Sequence, residues 1–109
     1  MLNGFEDRRS FLRIARTLDV KIINLNTNTE GKAKTSDISA TGIGFVTDTP
    51  LNTEANLELW LYIPDSQEPV YAKGRVVWTN MVAPNTYRVG VSLDKVDFID
   101  LSRVLRMNT

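Results

Sequence analysis

The chain is 109 residues long, 42% apolar and 24% charged, with 13 Lys+Arg against 13 Asp+Glu and neither cysteine nor histidine. That length fits one domain with a single modest core, and the composition excludes wholesale disorder, disulfides and thiolate chemistry. Without histidine the usual neutral-pH base and the commonest transition-metal ligand are missing, so a binder is expected rather than an enzyme.

Charge is uneven along the chain. From Arg8 to Lys34 there are seven basic residues and two acids, and after residue 34 six bases stand against nine acids. The front can attract an anion locally, while the zero net charge argues against a general DNA or RNA binder. No apolar run approaches the ~18 residues needed to cross a bilayer, so no membrane insertion and a cytoplasmic location are expected.

Residues 1–16 are polar, arginine-rich and weakly periodic, which predicts an extended or mobile arm. Leu18, Val20 and Ile22 then alternate with Asp19 and Lys21, the period-two pattern of a half-buried strand. "NTNTEG" (Asn26 to Gly31) is rich in turn formers and closes a hairpin. Lys32 to Ser39 and Ile43 to Thr47 read as the next strands, broken at Thr41-Gly42. In "ANLELWLYI", Leu57, Leu59, Leu61 and Ile63 share one face and Glu58, Trp60 and Tyr62 the other. Val70 to Thr79 and Tyr87 to Leu93 supply two more strands around a loop holding Pro84-Asn85. In residues 96–107, Phe98, Leu101 and Leu105 sit at i, i+3 and i+7 behind Asp97 as N-cap, which predicts a short amphipathic helix. Six strands and a terminal helix predict a mainly β fold: an antiparallel six-stranded barrel over residues 17–94 with the helix against it.

Two stretches offer ligand chemistry. In "RRSFLR", Arg9 and Arg13 are four apart, placing both guanidiniums on one side of a helix or letting them clamp a ligand from an irregular arm. Guanidinium is a planar fork of donors that matches phosphate oxygens and the O6/N7 edge of guanine, and it stacks on flat rings. In "DISATGIGF", Asp37 and Ser39 alternate with Ile38, so both are expected on one exposed face. A carboxylate there can accept from the N1 and N2 amines of guanine. Gly42 allows either an unusual backbone conformation or close approach of a ligand. Taken singly, each stretch is also explained blandly, as a solvated basic run and as a strand-ending turn.

Together, Arg9-x-x-x-Arg13 followed some two dozen residues on by Asp37-x-Ser39-x-x-Gly42 resembles the PilZ family, receptors for the bacterial second messenger cyclic di-GMP. The resemblance runs from Glu6 through "GRVVWT" and "YRVGVSL" to the final segment. It implies that Arg9 and Arg13 contact guanine edges and phosphates, that Asp37 and Ser39 hydrogen-bond the ligand, and that Gly42 leaves it room. Arg8 matches an extra arginine that often precedes the motif, compatible with the intercalated ligand pair that the family often binds. Trp78 lies where some members set an aromatic against guanine, and is equally explained as a core or strand-surface aromatic. Trp60 and Tyr62 receive no ligand role. No cofactor beyond the ligand is implied. The 109 residues include no output domain, so the effect is expected to pass through an unidentified downstream protein. The alternatives are a PilZ-like interaction adaptor that no longer binds nucleotide and, against the charge balance, a barrel for single-stranded nucleic acid.

Overall fold

A computed structural model of the protein describes residues 15–39, 41–64 and 67–96. The six strands are β1 (Asp19–Asn24), β2 (Thr29–Ile38), β3 (Gly42–Thr47), β4 (Asn56–Tyr62), β5 (Val70–Ala83) and β6 (Thr86–Val96). They close a barrel in the order β1-β2-β3-β6-β5-β4, with every neighbouring pair antiparallel. Closure leaves no sheet edge around the barrel wall. The six-stranded antiparallel barrel expected from the sequence is therefore present. The expected arm (residues 1–16) up to Ile14 and the expected helix (96–107) beyond Val96 lie outside the described residues, and Val96 itself ends β6.

Strict alternation builds the interior. Val20 and Ile22 of β1 and Leu57, Leu59 and Leu61 of β4 point inward and are buried, meeting Phe45, Val76 and Val89. On the outer face of β4 and β5, Trp60 packs edge-on against Tyr71, with ring centroids 5.1 Å apart, and the Lys21 ammonium sits over Trp60. Tyr71 donates its phenol proton to Glu58 Oε2 at 2.8 Å. Partial desolvation, then the Glu58 hydrogen bond and charge, raise its pKa above the ordinary 10.0, because both disfavour the phenolate. Trp60 thus has its neighbours on the barrel wall.

β5 and β6 run further than the period-two pattern suggests. The register shifts between Val76 and Trp78 and again between Met81 and Ala83. Each bulge inserts a residue, inverts the alternation and so hides the strand from a pattern search. The expected loop around Pro84-Asn85 is a tight turn closing a long ribbon, with Ala83 paired to Thr86 and Asn85 at φ 57°.

The chain entering β1 is fastened to β2. The buried Thr35 hydroxyl accepts from Leu18 N at 2.8 Å and donates to the Arg16 carbonyl, while Thr35 N donates to Leu18 O at 2.9 Å. The segment following Arg13 is thereby held two residues from Asp37.

Candidate functional site

One cross-strand row runs around the outside of the barrel. Asp37 of β2 pairs with Gly44 of β3, Gly44 with Gly90 of β6, and Gly90 with Trp78 of β5. The middle two positions carry no side chain of their own and are buried, Gly44 beside the Asp37 carboxylate and Gly90 beneath the Trp78 indole. A groove of about 240 Å³ lies over the row, lined by Asp37, Gly42, Gly44, Trp78, Arg88 and Gly90 among others.

Each end of the row depends on its glycine. Gly44 N donates to Asp37 Oδ1 at 3.1 Å, and a Cβ on Gly44 would stand 2.6 Å from that oxygen and 3.1 Å from Ser36 Oγ. A Cβ on Gly90 would meet the Trp78 indole at Nε1 and Cε2. The ring therefore lies across β6 where a side chain is missing, and at 41% exposed it keeps its outer face open. Gly44→Ala is expected to push the Asp37 carboxylate off its seat. Ligand affinity should fall several-fold while the melting temperature changes by only a few degrees, as titration and thermal unfolding of the same variant would show.

The residues singled out in the sequence divide into three groups. Asp37, Gly42 and Trp78 come together in the groove. Ser39 does not share the exposed face expected of it: β2 ends at Ile38, and Ser39 turns inward, 1% exposed. Its hydroxyl donates to the Gly42 carbonyl at 3.2 Å and accepts from Thr41 N and Gly42 N, so it staples the turn between β2 and β3. Gly42 has no positive φ. Its constraint is instead the Val91 carbonyl, 3.0 Å from where a Cβ would stand. Arg8, Arg9 and Arg13 lie outside the described residues.

Among the groove residues not found by sequence reasoning are Gly44, Gly90 and Arg88. The available signal was positional. With Val89 and Val91 inward, Arg88 and Gly90 must face out, and an outward glycine in mid-strand marks close approach to the backbone. No three acidic side chains cluster closely enough among the described residues to hold a metal ion.

Comparison with known proteins follows the same lines. The family profile described as PilZ domain matches residues 7–108, while no curated protein matches the chain. Among solved structures, the Bacillus subtilis inhibitor of motility (MotI/DgrA) is similar at TM-score 0.73 and 19% identity, over 92% of this chain and 49% of that one. The present chain thus spans about half of that protein. The PilZ domain of YcgR from Escherichia coli, solved with c-di-GMP, matches at 0.65 and 16% identity, over 92% of this chain and 88% of its own. The PilZ domain of CeSA from a cellulose-synthesizing bacterium matches at 0.62 and 15%, over 88% of this chain and 93% of that one. These likenesses concern the barrel, and with the profile covering nearly the whole sequence, the chain belongs to the PilZ domain family.

Proposed function

We propose that this chain binds cyclic di-GMP in the groove over the Asp37–Gly44–Gly90–Trp78 row and signals by ordering its N-terminal arm. The observation that carries this proposal is the row itself. A carboxylate able to accept from guanine amines and an indole with an open outer face, each laid over a glycine, line the same groove. Aromatic stacking contributes about 1–3 kcal/mol per base.

In this proposal Arg9 and Arg13 close on the ligand from the arm, taking phosphate oxygens and the guanine O6/N7 edge, with Arg8 beside them. The Thr35 clasp supports that geometry. Arg16 is tied to β2, and the three residues of chain back to Arg13 span at most about 10–11 Å. Gly42 keeps the turn close, and Ser39 contributes by holding that turn rather than through an exposed hydroxyl. The bridged arm and barrel then present a composite surface to a downstream protein. Membership of the PilZ family and the c-di-GMP carried by the similar Escherichia coli domain add support.

Asp37→Ala tests the guanine assignment. Wild-type protein should prefer cyclic di-GMP to cyclic di-AMP, and the variant should lose most of that preference in parallel titrations. Unchanged discrimination would remove Asp37 from the recognition. The adaptor alternative draws on the β5–β6 ribbon, where Met81 is 65% and Val82 53% exposed, an apolar surface suited to a protein partner.

A further inference from the structure

We infer that Arg88 is a further ligand-binding residue of this groove, a cation belonging to the barrel that takes a ligand phosphate and sets the depth at which the ligand lies. The inference rests on the cyclic di-GMP proposal above and concerns a residue outside both sequence motifs.

Arg88 is exposed on the outer face of β6 and lines the groove. Its cross-strand neighbours are Val46 on β3 and Asn80 on β5, both uncharged. Among the described residues it makes no ion pair, whereas Lys34 reaches Asp19 at 2.7 Å, Lys21 reaches Glu30 at 3.5 Å and Arg75 reaches Glu54 at 3.6 Å. The groove lining contains one acid, Asp37, and one base, Arg88.

Their separation gives the groove a direction. Arg88 lies two strands across from Asp37 and two residues along β6 from Gly90, so at about 4.8 Å per strand and 3.4 Å per residue the Cα atoms are about 12 Å apart. Cyclic di-GMP carries a guanine at each end and its two phosphates in the ring between them, so a guanine whose amines face Asp37 sets a phosphate inward of it, toward Arg88. The relation to Trp78 reinforces this orientation. Trp78 pairs with Gly90 and Asn80 with Arg88, so Arg88 is diagonal to Trp78 on the same face, a spacing of about 7–8 Å that a long side chain bridges. Both side chains line the groove, where they can hold parts of one ligand.

The test is titration of cyclic di-GMP into wild type, Arg88→Ala and Arg88→Lys at two salt concentrations. Arg88→Ala should bind about tenfold more weakly and lose part of the salt dependence. Arg88→Lys should recover some affinity, since it keeps the charge but not the fork. Because Arg88 is exposed and makes no ion pair among the described residues, thermal unfolding should be unchanged in all three. Wild-type binding with Arg88→Ala within twofold of it would overturn the role of Arg88 and leave the receptor proposal standing. Equal loss in Ala and Lys variants with unchanged salt dependence would overturn the phosphate contact. Absence of wild-type binding would instead sink the receptor proposal.

Discussion

Replacing Arg9 and Arg13 together by alanine is expected to weaken cyclic di-GMP binding by about 10²–10⁴-fold. A hydrogen bond to a charged group contributes about 1.5–3 kcal/mol, and two such arginines make about 3–6 kcal/mol at 1.4 kcal/mol per factor of ten. The single Arg13→Ala change should cost tenfold to a hundredfold. Both residues precede the clasp at Thr35 in the chain, and among the described residues the buried core runs from Leu18 to Val91. Circular dichroism and melting temperature should therefore stay close to wild type, separating loss of ligand contacts from loss of fold. A double variant that binds within twofold of wild type would mean that the arm plays no part in recognition.

The largest expected effect on stability is at Phe45. This side chain is 1% exposed, points inward from β3, and pairs across the sheet with Thr35 on one side and Val89 on the other. Phe45→Ala removes the buried ring and leaves a cavity that strands on both sides cannot fill, costing about 3–5 kcal/mol. Against a typical total of about 5–15 kcal/mol, this is a large share, and at about 4–8 °C per kcal/mol the melting temperature should fall by more than about 10 °C. Phe45 also adjoins Gly44, so the floor of the groove loosens with the core. A loss below about 1 kcal/mol in denaturant unfolding would show that the core is not packed around this residue.

The barrel was legible in the sequence because β1 and β4 keep period two without interruption, as Leu57, Leu59 and Leu61 do. The reach of β5 and β6 was not, because bulges after Val76 and Met81 break the alternation of β5 and a further shift, where Lys73 and Gly74 pair with Lys95 and Leu93, breaks that of β6. The site was half legible. Ile38 does turn inward and Asp37 lines the groove, although a bulge between Thr35 and Asp37 inverts the alternation of β2 to put them there. Ser39 was misjudged because alternation was carried one residue past the strand end, into a turn that its own hydroxyl stabilises. Gly44 and Gly90 are 46 positions apart, and their adjacency exists only through the register of β3 against β6. No local pattern announces that one glycine seats a carboxylate and the other seats an indole. Arg88 was hidden for the same reason: its meaning comes from what lies beside it across two strand pairs.

The most direct test of the central claim is isothermal titration of cyclic di-GMP into the wild-type protein, with cyclic di-AMP run in parallel. Saturable binding of cyclic di-GMP, clearly tighter than that of cyclic di-AMP, is the predicted result and gives the ligand stoichiometry at once. Folded protein that releases no heat at two temperatures and shows no change in tryptophan emission on adding cyclic di-GMP would contradict it.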